Sequence, residues 1–313
     1  MKPYVSILIP AHNAAPWIAD TVESALAQTW THKEIIVVDD GSSDETLAIA
    51  RRFESRGVRV FTQANQGAAV ARNRAWLESR GDWLQFLDAD DLLHADKISL
   101  QMDRAVQLGP DFAYCCHWTR FTRSLDDADH TPQPLCRDSE PLPWIELKLR
   151  DNVMMHPAAW LVSRSLAERS GPWNPALTLD DDGEFFSRIV STSAGVRHID
   201  KALSYYRSNL SDSLSGRRTP QAWNSAYRSL QLTSDRFLEM SSHAEGRSAA
   251  ANAYQQLAYT IYPYEPDLVQ QCEEQVVSLG GSETLPGGGR IFERIVRLFG
   301  WKLARRIQRW RVR

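Results

Sequence analysis

The sequence predicts an α/β protein: a mostly parallel, twisted sheet with flanking helices, continued by an α-helical C-terminal extension. Three observations carry this. Short runs that are apolar at consecutive positions recur through the first third of the chain, segments with apolar residues every three or four positions separate them, and from Pro220 onward only the helical spacing remains. Runs without polar alternation mark strands covered by helices on both faces. Strand and helix in turn imply parallel neighbours joined by right-handed crossovers.

Taken in order, Val5-Ser6-Ile7-Leu8-Ile9 is the first strand, and Ile18, Val22, Ala25 and Leu26 set the face of the first helix. Ile35-Ile36-Val37-Val38, Val58-Arg59-Val60-Phe61 and Trp83-Leu84-Gln85-Phe86-Leu87 are further strands, with helical spacing over 46–53 and 68–77 between them. Residues 112–121 read as another strand. The segment 124–143 is acidic and holds four prolines, which predicts a long surface loop. Residues 144–215 mix strands at 159–162, 196–199 and 203–206 with a helix over 181–193. The helices after Pro220 are interrupted at Pro286-Gly287-Gly288-Gly289.

The 313 residues, 43% hydrophobic and 24% charged, are globular in composition and enough for a sizeable core. With 36 Lys+Arg against 39 Asp+Glu the net charge is −3, which argues against nucleic acid as a partner. Cys115 and Cys116 are adjacent while Cys136 and Cys272 stand alone, so they form neither a disulfide framework nor a CxxC metal knuckle and fit a reducing cytoplasm. The first apolar run stops at Pro10, too early for a signal peptide, and no stretch approaches the roughly 18 apolar residues of a membrane span. The charge is unevenly placed. Residues 290–313 hold nine basic side chains against Glu293, so this segment carries +8 and residues 1–289 carry −11. Phe292, Val296, Phe299, Leu303, Ile307 and Trp310 lay an apolar stripe along it, the pattern of a helix lying on anionic lipid. Docking of the stripe on the helical extension is the alternative, and a nucleic-acid contact a third.

In an open parallel sheet, ligands bind beyond the carboxyl ends of the strands. Here those ends read Pro10-Ala11-His12-Asn13, Asp39-Asp40-Gly41-Ser42-Ser43-Asp44 and Asp88-Ala89-Asp90-Asp91. Helix capping accounts for Ser43 or Asp44, and Asp91 is a candidate cap for the next helix. A cap needs one acceptor, however, and three close carboxylates repel one another unless a positive charge sits among them. A divalent cation of the Mg²⁺ or Mn²⁺ type, completed by substrate phosphates, fits such oxygen donors.

VSILIPAHN, VVDDGSSDET, NQGAAVARN and LDADD, in this order and spacing, resemble the inverting family 2 glycosyltransferases of GT-A fold over about residues 5–206. The resemblance implies transfer of a sugar from a nucleotide diphosphate sugar, here a UDP-sugar, to a saccharide or lipid-linked acceptor in surface polysaccharide or lipopolysaccharide assembly. It assigns Pro10, Ala11 and His12 to the wall of the uracil pocket, with His12 where the family more often has Tyr. Asp40 would accept from the uracil ring N–H, and Gly67 and Arg72 would lie in the segment closing over the nucleotide, with Arg72 on the diphosphate or base. Asp88 would reach the ribose or sugar and, with Asp90, the metal. His12 as a helix cap, Arg72 as a solvated helix residue and Asn73 as a structural residue are the alternatives. The implied division is a nucleotide-sugar half at 1–115, an acceptor and catalytic half at 116–215, a helical extension at 216–289 and a basic amphipathic helix at 290–313. Lipid-linked acceptors at the inner face of the membrane would place the chain there as a peripheral protein.

Inverting transfer needs a base on the acceptor hydroxyl. Asp180-Asp181-Asp182-Gly183-Glu184-Phe185-Phe186 resembles the family's acidic pair and following helix, which puts Asp182 in the base position with Asp181 beside it. Neighbouring carboxylates raise one another's pKa, as suits a base at neutral pH, while an Asp run is also an ordinary helix start. Gly171-Pro172-Trp173 stands in place of the family's Gly-x-Phe. His156 either packs or lines the acceptor side. Asn209 stands roughly where many relatives carry a His, and Asn209, Ser211 and Ser213 either bind phosphate or form a plain loop. Among rival functions, a nucleotidyltransferase would need a Gly-rich basic loop after the first strand, which AHNAAPW does not provide. A dehydrogenase would need GxGxxG after Ile9. A non-catalytic sugar-nucleotide-binding protein at the membrane would have no use for Asp90 and Asp182.

Overall fold

The computed structural model describes residues 2–209, 216, 218–241, 243–287 and 290–310. Ser211 and Ser213 lie outside the described residues, as do Gly288 and Gly289 of the interruption and Arg311 and Arg313 of the tail.

The predicted alternation is present. Strands β1 (Val5–Ala11), β2 (Lys33–Asp40), β3 (Arg59–Gln63) and β4 (Trp83–Phe86) are separated by helices α1 (Ile18–Leu26), α2 (Thr46–Arg51) and α3 (Ala68–Glu78). β1 pairs in parallel with β2 and β4, and β2 with β3. Consecutive apolar residues in these strands serve opposite faces. Ile7, Ile9, Ile35 and Val37 enter a core with Ile18 and Val22 of α1, while Leu8, Ile36, Val38 and Leu84 enter one with Ala71 and Ala75 of α3. Each fully buried aliphatic side chain contributes about 1.5–3 kcal/mol. That is why these strands read as unbroken apolar runs.

Beyond β4 come β5 (Leu92–Leu93), α4 (Lys97–Leu108), β6 (Ala113–Phe121), α5 (Pro141–Asp151), β7 (Trp160–Ser163), α6 (Arg164–Ser170), α7 (Asp181–Thr192) and β8 (Val196–Arg207). The eight strands run β3-β2-β1-β4-β7-β6-β8-β5. Antiparallel pairs β4/β7, β6/β7 and β5/β8 make this half mixed, with β6/β8 parallel. The two strands expected at 196–199 and 203–206 are one strand. A register shift between Cys116 and His117 of β6 lets exposed Asp200 and Lys201 bulge out, and the polar pair mimics a turn in sequence.

The acidic segment after β6 is not a plain surface loop. Leu135 and Cys136 are buried, Ser139 bridges Val196 of β8, and α5 already begins at Pro141, where proline fits the first helical turn.

Helices α8 (Pro220–Met240), α9 (Ala244–Ile261) and α10 (Pro266–Ser278) form the extension around Trp223, Tyr254, Ile261, Leu268 and Cys272. The tail is two helices, α11 (Arg290–Phe299) and α12 (Trp301–Trp310), not one. Gly300, at φ 80°, breaks them apart, and only glycine adopts that conformation freely. The break also splits the expected stripe. Phe292 and Val296 pack with Ala304, and Trp301 packs against Tyr259 and Tyr262 at 4.8 and 5.2 Å, whereas Leu298, Phe299 and Leu303 are exposed. Among the described residues no helix is long and apolar enough to cross a membrane.

Candidate active site

The carboxyl ends of β1, β2 and β4 meet at one rim. Pro10 and Ala11 still pair with Val38 and Asp39, so they present a rigid wall, and His12 follows with its ring exposed. The His12 Nδ1 lies 2.9 Å from the Asp40 carbonyl oxygen, and Asn65 Nδ2 lies 3.1 Å from Nε2. Asp40 is buried. Its Oδ1 accepts from Gln63 Nε2 and the Gln66 amide at 2.8 and 3.0 Å, and its Oδ2 from the Gly67 amide at 2.8 Å. The carboxylate therefore gathers the 63–67 segment against β2 at the head of α3. Gly67 caps α3 at φ 94°. Gly41, at φ 69°, also lies so close to this segment that a Cβ would stand 2.7 Å from the Asn65 amide nitrogen. Asp44 accepts from the Thr46 and Ala15 amides, both at 3.0 Å, in keeping with a role at the head of α2.

Arg72 was expected to face the nucleotide. Its guanidinium, 5% exposed, instead bridges two carboxylates, with Nη2 donating to Asp88 Oδ1 at 2.7 Å and Nη1 to Asp181 Oδ2 at 2.6 Å. It also lies 4.4 Å over the Trp173 ring, a cation–π shelf. Burial opposes its charge, but Asp88 and Asp181 outweigh that and hold the pKa above its ordinary value. Trp173 in turn stacks on Phe185 at 4.1 Å, and its backbone exchanges two hydrogen bonds with the Asn73 side chain, the structural role allowed for Asn73. Glu184 and Arg188 pair bidentately, and Arg188 ties down the carbonyls of Ser170, Gly171 and Pro172.

The three acids after β4 face different ways. Asp91, fully buried, does not cap α4. Its Oδ1 accepts from the Arg207 amide and its Oδ2 bonds His156 Nδ1, both at 2.9 Å, and His156 Nε2 bonds Ser204 Oγ at 2.9 Å. Burial pushes the His156 pKa down to about 3, so this neutral, doubly bonded ring is a packing residue that does not line an acceptor surface. Asp90 makes no ion pair within 4.0 Å among the described residues, although Arg207 Nε holds its carbonyl at 3.0 Å. Burial, followed by Asp91 and Asp88, drives the Asp90 pKa well above the usual carboxylate range. Arg72 pairs with Asp88 alone in this cluster, and no cationic side chain pairs with Asp90 among the described residues. Two carboxylates with free oxygens suit a hard divalent cation.

At the start of α7, Asp180 adopts φ 59° and its Oδ2 accepts from Ser229 Oγ at 2.6 Å. Gly183 leaves the room that Asp180 occupies, since a Cβ there would overlap the Asp180 carboxylate. Asp181 is spent on Arg72. Among the described residues the Asp182 carboxylate accepts only from the Gly183 amide at 2.9 Å, while its own amide donates to Asp181 Oδ1 at 3.0 Å; it borders a cleft of about 230 Å³ shared with Asn152, Met155, Leu230, Thr233 and Leu257. Burial, then Asp181 and Asp180, pushes the Asp182 pKa up to about 7.

The family model described as Glycosyl transferase family 2 matches residues 6–170, more than half of the chain. The chain belongs to that family. Among family relatives, TuaG of Bacillus subtilis (strain 168), named for teichuronic acid biosynthesis, is 37% identical over 142 residues, covering 44% of this chain and 56% of TuaG. The chain thus spans about half of that relative. Among solved structures, S. aureus TarS 1-349 in complex with UDP-GlcNAc superposes with a TM-score of 0.73 at 15% identity, over 98% of this chain and 92% of that 1-349 chain. The mannosyltransferase PcManGT of Pyrobaculum calidifontis, in complex with GDP-Man and Mn²⁺, gives 0.53 at 16% identity over 98% of this chain and 87% of its own. The shared GT-A fold extends through the helical C-terminal region.

In this family 2 chain the contacts of Gln63 and Gln66 with Asp40, the Trp173 shelf, and those of Arg207 with Asp90 and Asp91 were not among the expected features. Only Arg207 left a signal, as a charged residue ending an aromatic strand. Asn209 is exposed with a left-handed backbone at φ 63°.

Proposed function

We propose that the protein is a metal-dependent inverting glycosyltransferase that moves a sugar from a nucleotide diphosphate sugar, a UDP-sugar first among them, to a saccharide or lipid-linked acceptor in surface polysaccharide assembly. One observation carries the reading: the Arg72 clamp joins Asp88 at the end of β4 to Asp181 at the start of α7, Asp90 and Asp182 both feel the Asp88 charge, and Asp182 also borders a cleft that the other four do not line. TuaG supports the pathway, TarS the uridine donor and PcManGT the manganese ion, each through what it is named for or bound to.

In this reading Pro10, Ala11 and His12 wall the base, which His12 stacks against. Asp40 holds Gly67 and its loop in place and keeps lone pairs for the base N–H. Asp90 and Asp88 would hold Mg²⁺ or Mn²⁺, which when bound would supply positive charge against the leaving diphosphate. Arg72 acts as a positioning residue that fixes Asp88 and Asp181. Asp182 takes the proton from the acceptor hydroxyl as its oxygen bonds to the anomeric carbon, while the bond from that carbon to the diphosphate oxygen breaks and the nucleoside diphosphate leaves with the electron pair.

The test is release of nucleoside diphosphate from a panel of nucleotide sugars with Mn²⁺ or Mg²⁺, with and without membrane extract. Metal-dependent release that disappears in Asp90→Ala is expected; pyrophosphate release would favour nucleotidyl transfer instead. The exposed Leu298, Phe299 and Leu303 beside basic α11 and α12 support peripheral attachment to anionic lipid at the cytoplasmic face. Vesicle binding unchanged by deletion of 290–313 would remove that attachment from the reading.

A further inference from the structure

On the other side of the acceptor half, three side chains from distant parts of the chain meet. His117 stands on β6 at the register shift, His198 on β8, and Cys136 on the segment leading to α5. One ligand atom from each lies within 4.8 Å of the others. The imidazoles touch edge to face, with centroids 4.3 Å apart. Asp138, two residues after Cys136, accepts the His198 amide at 2.7 Å, and Ser139 bridges Val196, so backbone contacts hold the cysteine segment on β8.

We propose that His117, Cys136 and His198 bind a divalent cation of the zinc class. The second observation is an unsatisfied atom: the His198 side chain is only 7% exposed, and its Nε2 is buried without a hydrogen-bond partner. A buried nitrogen left so costs about 1–3 kcal/mol, and a cation would take its lone pair. Asp200 Oδ1 lies 3.1 Å from His198 Nδ1, the arrangement in which a carboxylate fixes the tautomer of a metal-bound imidazole through its other nitrogen. The same oxygen is 4.0 Å from His117 Nε2, and Asp200 is 89% exposed, so the fourth position opens to solvent beside it.

The donor set selects the metal. Two imidazoles and a thiolate suit Zn²⁺ or Co²⁺, whereas Mg²⁺ takes hard oxygens such as those at Asp90. Tetrahedral ligand atoms would stand about 3.3–3.6 Å apart, so the site needs shifts of about an ångström to close. Binding would release the thiol proton of Cys136, whose Sγ now donates to the Cys116 carbonyl at 3.3 Å, and would staple the acidic segment to the bulged strand pair. None of the three residues belongs to the transfer site, so this proposal stands or falls separately from it.

The full chain, stripped with chelator, is titrated with Co²⁺ as the spectroscopic probe. One equivalent is expected, with a thiolate-to-cobalt charge-transfer band in the near ultraviolet and tetrahedral d–d bands in the visible, displaced by Zn²⁺ and untouched by millimolar Mg²⁺. Cys136→Ser loses the charge-transfer band, His198→Ala weakens binding at least tenfold, and Asp200→Asn weakens it about 10–100-fold. Asp90→Ala keeps the full spectrum. Absence of the band in the wild-type chain, or its persistence in Cys136→Ser, overturns the proposal. Should Cys136→Ser fail to fold by circular dichroism, the partly exposed His117→Asn carries the same test, and an unchanged affinity there overturns it equally.

Discussion

Replacing Asp182 by Asn should abolish transfer and at the same time make the protein more stable at alkaline pH. The two effects share one cause. Asp182 is held at about 7 against an ordinary 3.8 because burial and the neighbouring Asp181 and Asp180 disfavour its charge. At about 1.4 kcal/mol per pH unit, that rise corresponds to roughly 4 kcal/mol. Water reaching the cleft and proton sharing with Asp180 and Asp181 reduce the expected gain to about 2 kcal/mol. The sign follows from linkage: a native pKa above the unfolded one contributes stability that is complete below pH 4 and is lost as pH rises through 7. Asp182→Asn cannot ionise, so its melting temperature should exceed the wild type's at pH 8 by about 4 °C, at about 2 °C per kcal/mol, and the advantage should vanish by pH 4. Loss of the base should lower the transfer rate about 10²–10⁴-fold with nucleotide binding intact. The wild-type rate itself should rise with pH to a plateau above about 7. Thermal melts at the two pH values and a pH–rate profile check this. Wild-type transfer by Asp182→Asn, or equal melting at pH 8, would refute the assignment.

Arg72→Ala leaves the buried Asp181 and the partly exposed Asp88 carboxylates without their shared cation, which should cost about 2–3 kcal/mol, less than for a fully buried pair, and lower the melting temperature by about 4–6 °C. Arg72→Lys should recover little of this, because an ammonium lacks the two-pronged geometry that spans both acids. A melting temperature unchanged in Arg72→Ala would mean that the clamp does not form in solution. Gly41→Ala combines φ 69° with a Cβ 2.7 Å from the Asn65 amide, and should cost about 1–3 kcal/mol and weaken nucleotide binding through the displaced 63–67 segment. Denaturant unfolding and nucleotide titration read the two effects.

The elements nearest the rim where β1, β2 and β4 end were the most legible. Each alternates faces within a few residues, and Pro10, Asp40, Asp88 and Asp90 sit at strand ends that local hydrophobic runs already define. The second half was harder to read. The polar Asp200-Lys201 bulge divides β8 in sequence but not in space, buried Leu135 and Cys136 hide in an acidic, proline-rich stretch, and Gly300 breaks a stripe that continues by spacing alone.

Local periodicity and the order of the acidic motifs were sufficient for the α/β class, the parallel first half and the family resemblance, because a period of two or of nearly four is set by the backbone itself. The division of labour among the carboxylates depended on partners far along the chain. Arg72 reaches Asp181 across 109 residues, and the Arg207 amide reaches Asp91 across 116. Those pairings satisfy Asp181 and Asp91 and leave Asp182 and Asp90 without an ion pair among the described residues. They follow from which strands become neighbours when β7, β6 and β8 close the sheet, and a buried charge is decided by what packs against it, which no spacing in one dimension records.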